Sequence, residues 1–260
     1  MSYESKSEIG FFISDGYELS YRISHPLLAS KTPSVLLLHG ASTPRGRGRV
    51  LFDVFQEKLA QNGFSSMAFD TRGIGESQGE YFDSTLQNRL RDAEEAYQKF
   101  IQDSLVDAGR MSLLGVSMGG HIAANLAGRH PEWFQNVILA NPAAYGSDSE
   151  DKKLQPYTDF TQAIRRERSW EDSPAFSSLS RFPRRVLLFR SEFDQVVPPE
   201  VTDRYQKAVD GHVTKVVIPG IPHIFLSGTD DASEIARQFV YAETVKFLNS
   251  GLSEQSLSTK

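Results

Sequence analysis

The sequence contains no cysteine. That single absence excludes disulfide staples, thiolate nucleophiles and thiolate metal sites. Long apolar runs are missing too: nothing approaches the ~18 consecutive apolar residues of a membrane-spanning helix. The opening Met1-Ser2-Tyr3-Glu4-Ser5-Lys6-Ser7-Glu8 is too polar for a secretory leader, so a cytoplasmic chain without membrane contact is expected. Positive charge is in deficit, with 28 Lys and Arg against 33 Asp and Glu and a formal net charge of -5. Nucleic acid is therefore not expected as a partner, because neutralising phosphates needs a basic face. No H-E-x-x-H, P-loop or calcium-loop pattern occurs, and Gly46-Arg47-Gly48-Arg49-Val50-Leu51 lacks the third glycine of a dinucleotide loop. No metal and no cofactor is implied.

What is present is the alternation of an α/β protein. With 260 residues, 39% of them hydrophobic, the chain has the material for one full core. Ile9 to Ser14 and Tyr17 to Ser24 read as two strands around Asp15-Gly16, a pair suited to a tight hairpin. Apolar runs then alternate with amphipathic segments, the pattern of βα repeats and a mainly parallel sheet. The runs are Val35 to Leu38, Ser66 to Phe69, Met111 to Leu114, Val137 to Ala140, Val186 to Phe189 and Val213 to Ile218, which makes eight strands in all. Val50, Val54 and Leu59 fit one helical face. Leu86, Leu90, Ala93, Tyr97 and Phe100 fit another, and Ile235, Phe239, Ala242 and Val245 fit the closing helix.

The spacing breaks once, between Pro142 and Arg181, where no strand-like run occurs over a length far beyond an ordinary βα connection. We read a core over 1–142 and 182–249, a helical cap over 143–181, and a Ser-rich flexible tail over 250–260. Within the cap, Tyr157, Phe160, Ala163 and Ile164 share one helical face. Tyr145, Phe160, Ile164, Trp170 and Phe176 are its candidate pocket walls, with Phe160, Ile164 and Trp170 foremost.

Gly115-Val116-Ser117-Met118-Gly119 carries the chemistry. It follows the strand-like Met111 to Leu114 and precedes Gly120-His121-Ile122-Ala123-Ala124, which suits a helix. A serine on such a strand-turn-helix corner is lifted clear of the sheet, and the glycines leave room for the backbones that crowd it. Gly75-Glu76-Ser77-Gln78-Gly79 also fits the G-x-S-x-G pattern, yet it lies in a polar, glycine-broken loop with neither strand nor helix beside it. Ser117 is therefore the expected nucleophile.

A serine hydroxyl attacks poorly at neutral pH unless a base takes its proton and a third group holds that base. His223, in Pro219-Gly220-Ile221-Pro222-His223, falls just past the last strand, at the carboxyl edge where α/β sheets place their sites. The other five histidines sit in turns, at helix ends or inside a helix. Asp194 follows the strand Val186 to Phe189 at the same edge, with Glu192 as its local rival. The order Ser117, Asp194, His223 is that of the α/β-hydrolase triad.

At His39-Gly40, Asp70-Thr71-Arg72-Gly73-Ile74-Gly75-Glu76-Ser77, Gly115 to Gly119, Asp194 and His223 the sequence resembles the α/β-hydrolase superfamily, over nearly its whole length. The nearest branch is that of single-domain, lid-bearing esterases, thioesterases and serine-peptidase-like members. The resemblance implies an eight-stranded, mainly parallel sheet with helices on both faces and a short helical cap. It also implies an oxyanion hole from the amides of Ala41 and Met118, and a structural loop at Asp70 to Ser77. Two departures stand out: Ser191 occupies the place of a glycine often found three residues before the acid, and no His-Gly-Gly-Gly run occurs.

The expectation is a serine hydrolase cleaving a small-molecule carboxylic ester or thioester through an acyl-enzyme, with Ser117, His223 and Asp194 as triad. A lyase or cyclase using the same triad without net hydrolysis, and a silent ligand-binding receptor, are the rival readings. Arg45, Arg47 and Arg49 follow the oxyanion strand and would suit either an anionic substrate or a solvated loop.

Overall fold

A computed structural model describes residues 2–209, 211–223 and 226–258 of the chain. Asp15 and Gly16 take φ of 47° and 83°, the left-handed pair that a two-residue hairpin demands. The turn pairs β1 (Ser5–Ser14) with β2 (Tyr17–Pro26), antiparallel, in a register that sets Ser14 opposite Tyr17. There follow β3 (Thr32–Leu38), β4 (Ser65–Phe69), β5 (Val106–Val116), β6 (Asn136–Ala140), β7 (Arg185–Phe193) and β8 (Val213–Pro222). They form one sheet in the order β1-β2-β4-β3-β5-β6-β7-β8. β2 meets β4 antiparallel, and every pairing from β4 through β8 is parallel.

Among the described residues seven α-helices flank the sheet: α1 (Asp53–Gln61), α2 (Leu86–Phe100), α3 (Met118–Arg129), α4 (Asp159–Arg165), α5 (Pro174–Leu179), α6 (Pro199–Ala208) and α7 (Asp231–Ser258). The runs Val35 to Leu38, Met67 to Phe69, Val137 to Ala140 and Val186 to Phe189 are apolar throughout because both faces are covered, and the period of two divides their side chains between two cores. Leu36, Leu38, Leu113, Val137, Leu139, Val186 and Leu188 face α2, α3, α5 and α6. Val35, Leu37, Leu114, Ile138, Ala140, Leu187 and Phe189 face α1 and α7. Across that second core the rings of Phe55 and Tyr241 stack at 4.6 Å, joining α1 to α7. No helix among the described residues is long and apolar enough to cross a membrane.

The stripe Leu86, Leu90, Ala93, Tyr97 and Phe100 is the buried face of α2, started by Thr85, whose side chain accepts from the Asn88 amide. Two other stripes differ from the sequence pattern. Val50 and Val54 point outward, and Phe52, Phe55 and Leu59 carry the burial. In α7, Ile235 is 70% exposed and Phe239 37%, and Ala236, Val240, Tyr241 and Leu248 face the sheet instead. The helix also runs on to Ser258, where a tail from residue 250 is expected from composition. Leu252 packs on the second core and Gly251 lies against Arg185, so the final turns have a surface to follow.

Residues 143–181 hold α4 and α5, but they build down onto the α3 side of the sheet. A Cβ on Gly128 of α3 would stand 1.9 Å from the Ser178 carbonyl oxygen, so α5 and α3 touch backbone to backbone. Phe176 meets Tyr205 of α6 edge-on at 4.8 Å. Tyr157, expected inward, is 88% exposed because it sits before the helix with φ of 62°.

The loop after β4 is held by a buried ion pair. Arg72 donates to Asp92 Oδ1 from Nε at 3.0 Å and Nη2 at 2.7 Å, and Ser14 Oγ donates to the same oxygen at 2.6 Å. Burial pushes the Asp92 carboxyl above its ordinary range, and Arg72 opposes that shift. One contact set thus ties the hairpin, the loop and α2 together. Loss of Arg72 strands the fully buried Asp92, whereas Arg72 deprived of Asp92 keeps the half-exposed Asp15 at 2.8 Å, so Arg72→Met is expected to lower stability by about 3–5 kcal/mol and Asp92→Leu by less. Urea denaturation should also show the double variant Asp92→Leu/Arg72→Met losing clearly less than the two single losses added together.

Candidate active site

β3 and β5 lie side by side, yet the connection from β3 leads to β4 on one side and that from β5 leads to β6 on the other. Where neighbouring strands send their chains apart, a crevice opens at the carboxyl edge. Ser117 stands there, between β5 and α3, with φ of 53° and ψ of -118°. The tightness of the corner explains its glycines. A Cβ on Gly115 would lie 2.3 Å from the Gly119 carbonyl oxygen, and one on Gly119 would lie 2.3 Å from the Leu38 carbonyl oxygen. Any side chain at either place would force α3 off the sheet.

Three loops from three strands converge on this corner. His223, directly after β8, has Nε2 2.9 Å from Ser117 Oγ and Nδ1 2.7 Å from Asp194 Oδ2. The ionised carboxylate can only accept, so Nδ1–H donates to Asp194 and the Nε2 lone pair faces the serine hydroxyl. Asp194 Oδ1 accepts from the amides of Val196 at 2.9 Å and Val197 at 2.8 Å. Burial pushes the Asp194 carboxyl up, but the His223 bond, the two amides and the histidine charge outweigh it and leave it below the usual carboxylate range. Glu192, the rival, accepts from the Gly220 amide at 2.8 Å and so pins β7 to β8.

Asn141 also serves this cluster, unforeseen as a site residue. At the end of β6, with φ of 46°, it donates from Nδ2 to Ser191 Oγ at 2.8 Å and to the His223 carbonyl at 3.1 Å. Its Oδ1 accepts from the Ser191 amide at 2.7 Å. Ser191 therefore does more than replace a glycine: it anchors the asparagine that holds the His223 backbone. The only signal in the sequence was an Asn-Pro pair closing a strand.

The oxyanion candidates flank the serine. Ala41 follows Gly40, whose built Cβ would sit 3.1 Å from Ser117 Cβ, and Met118 opens α3. Among the described residues neither amide donates to another group. Ser77 is fully buried and structural: its Oγ donates to the Asp70 carbonyl at 2.6 Å and accepts from the Ser20 amide at 2.9 Å, joining β2 to the end of β4.

A cavity of about 480 Å³ opens beside Ser117 and His223, walled by Ala41, Leu51, Phe52, Val116, Val196 and Leu226, with Arg47 at its edge. Phe160, Ile164 and Trp170 do not line it. Phe160 packs on Tyr145 at 5.9 Å and Trp170 on Phe176 at 6.4 Å, while Ile164 lies against the same core. Residues 143–181 meet an apolar floor on α3, and their aromatic side chains fill that floor. A second cleft, of about 400 Å³, lies against Asn136 and Arg185 at the amino edge of the sheet, far in topology from the triad loops. Its arginines already engage Asp107, the Phe134 carbonyl and Ser250. No group of three or more metal-ligating side chains occurs among the described residues.

Comparison with known proteins agrees with this architecture. In the solved structures, Est1E from Butyrivibrio proteoclasticus with ferulic acid bound superposes with a TM-score of 0.72 at 18% identity, covering 94% of this chain and 99% of that one. DcsB in complex with its substrate analogue gives 0.70 at 14%, over 95% and 100%. At such identities the likeness concerns the fold alone. Acylamino-acid-releasing enzyme of Sus scrofa is 28% identical over 120 residues, 44% of this chain and 16% of that protein. Abhydrolase domain-containing protein abhd-5.2 of Caenorhabditis elegans is 31% identical over 121 residues, 45% of this chain and 24% of that protein. The chain thus spans about a sixth to a quarter of the length of these curated relatives. The family described as Hydrolase_4, serine aminopeptidase S33, matches residues 29–185, a stretch that holds Ser117 and stops short of Asp194 and His223. With more than half of its length matched, the chain belongs to this family of the α/β-hydrolase superfamily.

Proposed function

We propose that the protein is a serine hydrolase that cleaves a carboxylic ester or thioester through an acyl-enzyme. The observation that carries this reading is the unbroken chain of hydrogen bonds from Ser117 Oγ through both nitrogens of His223 to Asp194. As Ser117 Oγ bonds to the acyl carbon, its proton passes to His223 Nε2, and Asp194 stabilises the resulting imidazolium. The amides of Ala41 and Met118 hold the negative charge that develops on the carbonyl oxygen. His223 then protonates the departing alcohol or thiol. In the second half a water gives its proton to His223 and its oxygen to the acyl carbon, which releases the acid and restores Ser117.

His39 prepares the oxyanion amide. Its Nε2 accepts from the Thr71 amide at 3.2 Å, which places the ring proton on Nδ1, where it donates to the Gly40 carbonyl at 2.8 Å. The carbonyl and N–H of one peptide point opposite ways, so holding Gly40 O on one side directs Ala41 N–H to the other. Burial, with the Arg89 charge nearby, pushes His39 down to about 3, so the ring stays neutral in the fold.

Free-amine peptides fit the cavity less well than esters. An α-ammonium group seeks a carboxylate, and no Asp or Glu is among the described residues lining the cavity.

Three outcomes test this reading. Ser117→Ala is expected to lose about four orders of magnitude or more in kcat on activated acyl esters. A fluorophosphonate probe should label the wild type at Ser117 and leave the variant unlabelled; full turnover by the variant would falsify the assignment. Product formed in oxygen-18 water should carry solvent oxygen in the acid, which a lyase or cyclase would not give.

A separate prediction concerns strain. The φ and ψ of Ser117 suit glycine and cost any other residue about 1–3 kcal/mol, whereas glycine's extra unfolded-state freedom returns roughly 0.5–1. Ser117→Gly should therefore be more stable than Ser117→Ala by about 1 kcal/mol, or roughly 2–4 °C in Tm for a chain of this size. An alanine variant as stable as the glycine one would show that the corner is relaxed.

Another prediction is a pH dependence. His39 takes up a proton near 6.5 in the unfolded chain and only at about 3 in the fold. Below 6.5 the unfolded state binds more protons, so stability falls as pH drops. Replacing the ring by His39→Asn should flatten the decline of Tm between about pH 7 and pH 5, whatever it does to Tm at neutral pH. Parallel curves for the two proteins would rule out His39 as a source of acid sensitivity.

A further inference from the structure

Three arginines follow one another at alternate positions in the loop after β3, and the fold gives each a different surrounding. Arg49 is buried, with its backbone N–H donating to Asp70 Oδ1 at 2.7 Å and Nε 3.2 Å from Asp70 Oδ2. Arg45 reaches across to the loop after β4, where Nη1 donates to the Ser77 carbonyl at 2.6 Å, while its own N–H donates to the Gly73 carbonyl at 2.9 Å. Arg47 lies between these two anchors. Its carbonyl accepts from Ser42 Oγ at 3.0 Å, and the Gly46 amide just before it donates to Thr43 O at 2.7 Å. Its backbone is therefore fixed on both sides, yet its guanidinium is exposed and has no hydrogen-bond or ion-pair partner among the described residues.

That guanidinium lines the cavity beside Ser117. Apart from the two histidines, Arg47 is the only ionisable side chain among the described residues that line the cavity, and no carboxylate is among them. In a chain with a net charge of -5, this is an uncompensated cation beside an apolar wall. An arginine in such a place attracts an anion more strongly than one in open water, since neighbouring apolar surface lowers the effective dielectric. It also offers a planar fork of donors that matches a carboxylate or a phosphate.

We propose that Arg47 selects acyl substrates that carry an anionic group, a carboxylate or a phosphate, a few bonds from the scissile carbonyl. The proposal rests on Ser117 being the nucleophile of the reaction described above. The carbonyl sits over Ser117, the chain lies along Leu51, Phe52, Val116 and Val196, and its charged end pairs with Arg47.

The test separates the two readings by measuring binding and turnover independently. For binding, monomethyl adipate and its neutral twin dimethyl adipate are titrated by calorimetry into Ser117→Ala and into Ser117→Ala/Arg47→Ala. The charged ester should bind about tenfold tighter to the first protein, on the scale of one charge-assisted hydrogen bond, and the preference should vanish in the second. For turnover, wild type, Arg47→Ala and Arg47→Lys are compared on p-nitrophenyl hexanoate, p-nitrophenyl hemi-adipate and a p-nitrophenyl ester ending in phosphate.

The anionic-to-neutral ratio of kcat/KM should fall about tenfold in Arg47→Ala, mostly through KM, and Arg47→Lys should keep most of it. Raising the salt should compress the wild-type ratio. A larger ratio for the phosphate ester identifies phosphate as the preferred charge, and a larger one for the hemi-adipate identifies carboxylate. A wild-type ratio that Arg47→Ala leaves unchanged, or equal binding of the charged and neutral esters, overturns the proposal. Charge-selective binding that depends on Arg47, with no turnover of any ester, upholds the anion site and counts against the hydrolase reading alone.

Discussion

The contact on which the site depends is the approach of α3 to the end of β3. Gly119 passes so close to the carbonyl oxygens of Leu38 and His39 that no side chain fits between them. This packing bends the chain sharply enough to hold Ser117 off its regular backbone angles, and it brings the serine beside Gly40. Ser117 and the proposed oxyanion amide therefore share one steric cause. Were α3 to start a few ångströms further out, Ser117 would relax into the helix and the Ala41 amide would face empty space.

Order around the serine comes from polar cross-links between strand ends. Asn141 from β6 holds Ser191 on β7 and the backbone of His223 after β8, while Glu192 ties β7 to the Gly220 amide. Asp194 is fixed by two amides of its own loop before it receives His223. Asp194 alone spends one oxygen, Oδ1, on structure and leaves the other, Oδ2, for the imidazole. Such double use keeps the carboxylate ionised in a partly buried setting, because several donors replace the water it has lost.

Much of this was legible in the sequence, and what was not has physical causes. The elbow could be separated from its duplicate at Ser77 because only one of the two follows a strand and precedes a helix. The α2 stripe was readable since its apolar residues recur strictly at steps of three and four. In α7 the sequence offers several overlapping stripes, and the sheet selects the one through Val240 and Tyr241 instead of that through Ile235 and Phe239. Burial there is decided by what the helix meets, which periodicity does not contain. The 143–181 stretch was opaque for the same reason: its aromatic residues are equally suited to a ligand or to a core, and the nearness of α3 decides for the core. Asn141 escaped notice because an amide at a strand end resembles any other turn residue until its three partners are in place.

The seating of that stretch on α3 has a bearing on how such a protein diversifies. If substrate contacts were spread over the insertion, altering them would disturb the packing of Phe160, Trp170 and Phe176 and so endanger folding. Here the cavity wall is drawn chiefly from the loop after β3, which hangs from the scaffold by Arg45 and Arg49 and carries little of either core. Side chains such as Thr43 and Arg47, which carry neither anchor, can then vary with little penalty in stability, and Ser117, Asp194 and His223 need not move when they do. The residues that wall the cavity in this loop are thus largely separate from those that fill the two cores, so a change at one need not unsettle the other.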